Sequence, residues 1–90
     1  MSEDTVPIVE IYTKQFCGFC ARALNLLARK HVAFEEIPID GNAGLRQLMI
    51  ERANGRTTVP QIFIRGEHVG GCTELQRLED DGILDRMLAG

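Results

Sequence analysis

Residues 8–27 read IVEIYTKQFCGFCARALNLL, and this stretch decides how the rest of the chain is interpreted. Its first part alternates apolar and polar residues, a pattern typical of a strand, which we expect over residues 7–12. From residue 17 to about residue 30, apolar residues recur at helical spacing. The predicted apolar face consists of Cys20, Ala23, Leu24 and Leu27. The stretch therefore predicts a strand followed by a helix, with two cysteines at the junction.

The two cysteines, Cys17 and Cys20, occupy positions i and i+3 at the predicted start of this helix. Both sulfurs then lie on the same side of the first turn, close enough to form a disulfide. Cys17 comes where unpaired backbone N–H groups and the positive end of the helix dipole favour a thiolate. The pattern predicts redox chemistry, with Cys17 as the nucleophile and Cys20 as the more enclosed partner.

The composition indicates one small module. The chain has 90 residues, 44% of them hydrophobic, which is enough for one compact core, so we expect a single domain over residues 1–90. The net charge is -3 with acids and bases mixed, and no basic block suits a phosphate backbone, so nucleic acid is not an expected partner. Residues 1–5 are polar and acidic, unlike a signal peptide, and no apolar run approaches membrane-spanning length. These features predict a cytoplasmic protein without a membrane partner.

The middle of the chain continues the alternation of strand and helix signals. A second strand is predicted over residues 34–39, followed by a turn at residues 40–42. The helix after it ends at Asn54-Gly55, a pair suited to left-handed conformations. Its predicted apolar face consists of Leu45, Leu48, Met49 and Ala53.

The last third of the chain predicts a hairpin and a final helical region. Residues 61–64 and 67–70 read as two strands around a tight turn. Thr73 and Gln76 match a capping box, so we expect the third helix to begin at Thr73 and to be interrupted at Gly82. The last helical stretch presents Ile83, Leu84, Met87 and Leu88.

The order β-α-β-α-β-β-α restricts the topology. The first strand, helix and second strand form a right-handed crossover, so these two strands are parallel. The hairpin then adds two antiparallel strands, giving a four-stranded mixed sheet flanked by helices on both faces, an α/β fold. Ligands of open α/β sheets bind beyond the carboxyl ends of strands, which is where Cys17 comes.

A proline, Pro60, precedes the third strand, where it cannot donate to a sheet ladder. A cis Val59–Pro60 bond would turn the backbone so that the N–H and C=O of Val59 face outward beside the thiols. An extended peptide would then find two hydrogen-bonding groups there. An ordinary trans proline at a strand start is the alternative that the residues alone leave open.

Four segments resemble the signatures of glutaredoxins, in the same order and at similar separations across nearly the whole chain. They are Tyr12-Thr13-Lys14, Cys17-Gly18-Phe19-Cys20, residues 57–64 (TTVPQIFI) and Gly70-Gly71-Cys72-Thr73. The match is closest to small bacterial dithiol glutaredoxins, whose turn at residues 38–42 and segment at residues 55–60 are also present. The resemblance implies the thioredoxin fold, a cis bond before Pro60, and a glutathione-dependent thiol-disulfide oxidoreductase that acts as a monomer.

The resemblance also implies a role for each matching residue. Cys17 would attack glutathione mixed disulfides, and Cys20 would resolve protein disulfides. Lys14 and Gln47 would lie near the glycyl carboxylate, and Val59 would pair with the tripeptide backbone. The N–H groups at the start of the third helix would hold the γ-glutamyl carboxylate. The implied glutathione-binding set is Lys14, Phe19, Gln47, Thr58, Val59, Pro60, Gly71, Cys72, Thr73 and Glu74.

The pair Gly18-Phe19 departs from the Pro and Tyr of the usual dithiol centre and matches monothiol relatives that bind a [2Fe–2S] cluster with glutathione. Those relatives carry an insertion between the lysine and the first cysteine, whereas here only two residues intervene. Cys20 is also present, so we expect a dithiol oxidoreductase. The alternative is a glutathione-ligated [2Fe–2S] cluster with Cys17 as the protein ligand, held by a dimer.

A zinc site and a redox-inert binding module are two further interpretations of the cysteines. Zinc completed by Cys72, His31 or His68 is disfavoured, because structural zinc prefers two closely spaced ligand pairs and this chain has one. A redox-inert binding module would leave the cysteines as packing residues, which is the simpler interpretation for Cys72 alone. The two histidines have no motif partner, so we expect solvated or capping roles for them.

Overall fold

The computed structural model describes residues 7–89. Its elements are β1 (Val9–Thr13), α1 (Gly18–Arg29), β2 (Phe34–Pro38), α2 (Ala43–Arg52), β3 (Gln61–Ile64), β4 (Glu67–Gly70), α3 (Cys72–Asp80) and α4 (Leu84–Ala89). The predicted order is confirmed, and Gly82, at φ 72, separates α3 from the last helix. The signal-peptide inference concerns residues 1–5, which lie outside the described residues.

The four strands form one mixed sheet in the order β2-β1-β3-β4. β1 pairs with β2 in parallel and with β3 in antiparallel orientation, and β3 and β4 form the predicted antiparallel hairpin. Arg65 and Gly66 both have positive φ in the turn of this hairpin, as a two-residue connection that follows the twist of the strands requires. This is the sheet of the thioredoxin fold.

Alternate residues of the central strands pack on opposite faces of the sheet. Val9 and Ile11 of β1 lie on one face with apolar residues of α1, α3 and α4. Tyr12 and Phe63 lie on the other face and pack against Met49 of α2. The sheet is therefore buried on both sides, and the loop after β1 follows a strand that is packed on both faces.

The two helices nearest this loop differ from their predicted apolar faces. In α1, Leu26 is buried while Leu24 is only partly buried, because the true face is centred on Ala23 and on Leu26, three residues later. In α2, Met49 is fully buried but Leu48 is 44% exposed. One residue corresponds to a rotation of about 100°, which turns Leu48 of α2 toward the solvent when Met49 faces the sheet.

The prediction for the start of α3 was wrong. The N-cap residue is Gly71, and Glu74, rather than Gln76, is the third helical residue. A carboxylate oxygen of Glu74 accepts a hydrogen bond from the Gly71 N–H at 2.7 Å. Gly71 has no side chain to complete a capping box, and Gln76 instead donates to Asp80 at 3.0 Å. The helix thus begins earlier than predicted, with Cys72 in its first turn.

Candidate active site

Cys17 is the N-cap residue of α1. Its backbone is extended, and its Sγ accepts a hydrogen bond from the Cys20 N–H at 3.2 Å. The sulfur thus occupies the place that a Ser or Asp oxygen takes at other helix starts. The thiol is half-exposed and lies 3.9 Å from the carbonyl oxygen of Val59. Cys17 is therefore accessible from solvent and adjacent to the segment before Pro60.

Cys20 lies one turn further along α1 and faces the protein interior. It is 2% exposed, and both it and Cys17 are free thiols. Burial, followed by the hydrogen bond with Cys17, raises the pKa of the Cys20 thiol to about 12. Because the thiolate is the nucleophilic form of cysteine, the Cys20 thiol carries little nucleophilic character near neutral pH.

The segment Thr58–Pro60 lies opposite Cys17. The Val59–Pro60 peptide bond is cis, which confirms the prediction. Pro60 is buried, Val59 is half-buried and Thr58 is exposed. The segment therefore presents backbone and a threonine side chain to the solvent directly beside the nucleophilic sulfur.

A groove with a volume of about 310 Å³ runs from this segment to the start of α3, and we call it the binding groove. Its lining residues are Phe19, Arg56, Thr58, Val59, Pro60, Gly71, Cys72, Thr73 and Glu74. The structure thus brings eight of the ten predicted glutathione-binding residues together. Lys14 and Gln47 do not line this groove.

The far end of the binding groove combines a helix start with a charged pair. The backbone N–H groups of Cys72 and Thr73 lie in the first turn of α3, where such groups have no partner within the helix. The Glu74 carboxylate lies 3.4 Å from the guanidinium of Arg56. The pKa of the Glu74 carboxyl is below its usual value, mainly because of the hydrogen bond from the Gly71 N–H. This end of the groove therefore offers donors for an anion beside an ionised carboxylate.

A second depression, of about 480 Å³, is lined by Cys17 and adjoins the binding groove at Thr58 and Val59, which line both. Lys14 and Arg46 line it, together with Phe16. Gln47 is exposed and its amide contacts Glu51 at 3.4 Å. The position of Met49 explains why Arg46 lines the depression and Gln47 does not. Met49 faces the sheet, and Gln47 lies about 200° away from it around the helix, so Gln47 faces outward. The sequence analysis did not identify Arg46 as a residue beside Cys17. Its place on the helix relative to the apolar residue Met49 could have indicated this position.

Two exposed aromatic residues flank Cys17. Phe16, immediately before it, is fully exposed and has a left-handed backbone with φ 56. Phe19 is 58% exposed, and the guanidinium of Arg22 lies 5.6 Å from the centre of its ring. Large apolar side chains at the rim of a site mark surfaces that contact other molecules. The sequence showed both residues but not their exposure.

The remaining cysteine and the two histidines differ in their exposure to solvent. Cys72 is half-buried in the wall of the binding groove, and burial is the main cause that raises its pKa. His31 is exposed, as expected. His68 is half-buried and contacts Gln61 at 2.7 Å, so the prediction of a solvated or capping role does not describe it.

Neither a metal-binding group nor a membrane-spanning element is found within residues 7–89. No cluster of three or more His, Cys, Asp or Glu side chains in this range is arranged to hold a metal ion. No helix in the described part of the chain is both long enough and apolar enough to cross a bilayer.

Comparisons with known proteins place this site in a family. The family model described as Glutaredoxin matches residues 9–69. Glutaredoxin 3 of Escherichia coli strain K12 is 58% identical over 80 residues, which cover 89% of this chain and 95% of that protein.

Two solved structures share the fold. The solution structure of glutaredoxin from Brucella melitensis has a TM-score of 0.79 at 49% identity and covers 97% of this chain and 94% of that one. The crystal structure of a buckwheat glutaredoxin-glutathione complex has a TM-score of 0.83 at 28% identity, covering 92% of this chain and 77% of that one. The chain with Cys17 and Cys20 at its helix start belongs to the glutaredoxin family, the glutathione-dependent thiol-disulfide oxidoreductases.

Proposed function

We propose that Cys17 is the nucleophile that reduces glutathione mixed disulfides. Its thiolate attacks the glutathione sulfur, the substrate thiolate leaves, and a disulfide between Cys17 and glutathione remains. A second glutathione thiolate then attacks that disulfide, which releases glutathione disulfide and the Cys17 thiolate. The observation that carries this proposal is the half-exposed Cys17 sulfur at a helix N-cap, 3.9 Å from the Val59 carbonyl in the wall of the binding groove.

Cys20 has a separate role in the reduction of protein disulfides. After Cys17 has formed a mixed disulfide with the protein, Cys20 loses its thiol proton and its sulfur attacks the Cys17 sulfur. The protein leaves as a thiolate, which takes up a proton. The Cys17–Cys20 disulfide is then reduced by two molecules of glutathione. Cys20 is buried, so it attacks the neighbouring Cys17 sulfur rather than an external disulfide. Because the two residues are close together, the effective concentration of Cys20 at the Cys17 sulfur is high.

The binding groove holds the tripeptide of glutathione. Val59 pairs with its backbone, and the N–H groups of Cys72 and Thr73 receive the γ-glutamyl carboxylate at the start of α3. Glu74 lies where it meets the γ-glutamyl amino group. The groove walls are completed by Phe19, Thr58, Pro60 and Gly71. A related glutaredoxin from buckwheat has been crystallised with glutathione, which supports this use of the groove.

The glycyl carboxylate of glutathione occupies the second depression, beside Cys17. Lys14 and Arg46 supply two positive charges there. Gln47 was predicted from the family resemblance to serve this carboxylate, and the outward position of its side chain favours Arg46 instead.

Trapping the first intermediate tests the proposed nucleophile. The Cys20→Ser variant, incubated with glutathione disulfide, should carry one glutathione, and peptide mass mapping should locate it on Cys17. The Cys17→Ser variant is the control and should remain unmodified at residue 20. Glutathione on Cys72 in place of Cys17 in the Cys20→Ser variant, or on Cys20 in the control, would overturn the assignment.

A glutathione-ligated [2Fe–2S] cluster is the second candidate, favoured by Gly18 between the two cysteines. Cys17 is the accessible thiol, while Cys20 is buried and its pKa is raised to about 12. Within residues 7–89, no group of three or more His, Cys, Asp or Glu side chains could hold a metal. With Cys17 as the ligand from each chain, a cluster with four thiolate ligands would need two chains and two glutathiones. Visible absorption of protein purified anaerobically with glutathione distinguishes this dimer from a colourless monomer.

The site fits a reducing compartment. Residues 1–90 act as one domain in the cytoplasm, where glutathione keeps thiols reduced and a close cysteine pair serves catalysis rather than structure. The partners are glutathione and proteins that carry glutathione or a disulfide at an accessible cysteine. Neither nucleic acid nor a membrane takes part in this function.

A further inference from the structure

Gln61 is a polar side chain with 0% exposure in the otherwise apolar strand β3. A buried amide destabilises the fold unless it is hydrogen-bonded. Its Nε2 donates to the carbonyl oxygen of Thr58 at 2.9 Å, and its Oε1 lies 2.7 Å from Nε2 of His68. The amide therefore connects β4, which carries His68, to the segment that precedes Pro60.

These contacts determine which nitrogen of His68 carries the proton. The NH2 group of the Gln61 side chain faces the Thr58 carbonyl, so the side-chain oxygen of Gln61 faces His68. This oxygen can only accept a hydrogen bond, and Nε2 of His68 must therefore carry the proton. The other ring nitrogen, Nδ1, lies 3.4 Å from Nδ2 of Asn54, which can donate to it. The pKa of His68 is lowered, mainly by burial and secondly by the charge of Arg56. The lowered pKa favours the neutral ring, which is the form that this hydrogen-bond pattern requires.

The Thr58 carbonyl and the Val59 N–H belong to the same planar peptide unit. In a trans unit the C=O and N–H bonds point in opposite directions. The cis bond is the following one, between Val59 and Pro60. Since the Thr58 oxygen is held inward by Gln61, the Val59 N–H is directed outward at the groove wall that Thr58 and Val59 form.

We propose that His68 is a positioning residue for substrates that carry glutathione. Through Gln61 it holds the Thr58 carbonyl, and it thereby aims the Val59 N–H at the tripeptide backbone. The inference rests on the proposed function, in which Val59 pairs with glutathione. His68 does not line the binding groove, so its loss should weaken substrate binding without changing the chemistry of Cys17.

A matched pair of variants separates this role from a purely structural one. The ring of His68 also packs against Phe63, with centroids 5.1 Å apart. His68→Phe keeps a ring against Phe63 and removes the N–H donor. His68→Gln removes the ring and keeps an N–H donor at a similar reach. A packing role and a hydrogen-bonding role therefore predict opposite outcomes for the two variants.

Steady-state kinetics with a glutathionylated peptide provide the first readout. His68→Phe should raise KM about fivefold, the effect of about one neutral hydrogen bond, with kcat unchanged. His68→Gln should keep a KM close to that of the parent protein even if its melting temperature falls. A parental KM in His68→Phe, or an equal rise in both variants, would overturn the inference.

Two further measurements complete the test. Nitrogen-15 NMR of the histidine ring in the unmodified protein should show the proton on Nε2, and a proton on Nδ1 would refute the inference whether or not the variants fold. The alkylation rate of Cys17 should be the same in both variants and in the parent protein, and a changed rate in His68→Phe would also refute it. If the parent protein fails to turn over the glutathionylated peptide, the proposed function fails, which is a different outcome from an active parent with insensitive His68 variants.

Discussion

The two ends of the Cys17–Cys20 turn lie in opposite surroundings, although only two residues separate them. Cys17 is half-exposed in the wall of the second depression, and exposed aromatic residues flank it. Cys20 is 2% exposed and lies on the inner face of α1. A thiol that meets a protein or a tripeptide needs access, whereas a thiol that attacks only its neighbour needs none. One turn of helix therefore assigns different reactivities to two identical side chains.

The contrast also explains why the inner thiol does not compete with the outer one. Burial is the main cause that raises the pKa of Cys20 to about 12, so it remains protonated while Cys17 receives the Cys20 N–H on its sulfur. Forming a mixed disulfide on Cys17 removes its thiol from this arrangement. The order of the two steps thus follows from exposure and protonation.

Removal of the outer thiol should have the largest effect. Cys17→Ser should lower the rate of both glutathione mixed-disulfide and protein-disulfide reduction by several orders of magnitude, because an alcohol is a far weaker nucleophile than a thiolate. Turnover of a glutathionylated peptide and of a disulfide-containing protein checks this, with Cys72→Ser as the matched cysteine control. Substantial remaining activity would mean that Cys20 or Cys72 can act as the first nucleophile.

Alkylation should show the next largest difference between the two ends. With a pKa of about 12, the Cys20 thiolate is a very minor species at pH 7, and iodoacetamide should label Cys20 at least about a hundredfold more slowly than Cys17. The Cys20 labelling rate should keep rising tenfold per pH unit up to about pH 10 without a plateau. Mass mapping across that pH range measures both rates, and equal labelling at pH 6 would contradict the comparison.

The contrast between the thiols was predictable from the sequence because it depends on local features. A period-two run followed by helical spacing locates the junction, and the i, i+3 spacing of Cys17 and Cys20 is itself a helical repeat. The parallel orientation of the first two strands and the antiparallel hairpin followed from the same alternation of elements. The cis bond before Pro60 was different, since the residues alone allowed a trans bond and the family resemblance decided the prediction.

The surroundings of the thiols were harder to predict because they depend on helical phase and on contacts between distant residues. The prediction of Gln47 came from the family resemblance, whereas the direction in which residues 46 and 47 face depends on rotation around α2, which the burial of Met49 shows only in the structure. The start of α3 was missed because Gly71 has no side chain that could signal a cap. His68 contacts Gln61 through pairing of β3 with β4, and no spacing rule indicates that contact.

Loss of the inner thiol should separate the two reactions. Cys20→Ser should retain or increase reduction of glutathione mixed disulfides, because the internal disulfide no longer forms as a side product. The same variant should lose roughly tenfold or more in protein-disulfide reduction, which benefits from a neighbouring thiol at high effective concentration. Both activities are measured on one preparation with glutathione as reductant. Similar losses in both assays would show that Cys20 shapes the site itself, and the two-route mechanism would then be wrong.

The smallest predicted effect concerns the charges around the outer thiol. Arg46 lines the depression beside Cys17, whereas Gln47 faces away from it and contacts Glu51. Arg46→Met should therefore raise KM for a glutathionylated peptide about two- to fivefold, the range expected for one exposed ion pair, and the effect should shrink as salt is added.

Gln47→Met is the matched control, since it places the same side chain one residue further along α2. Its KM should stay within experimental error of the parent value at all salt concentrations. If Gln47→Met instead weakened binding while Arg46→Met did not, the glycyl carboxylate would lie against the outer face of α2. The proposed place of this carboxylate, beside Arg46 in the second depression, would then be wrong.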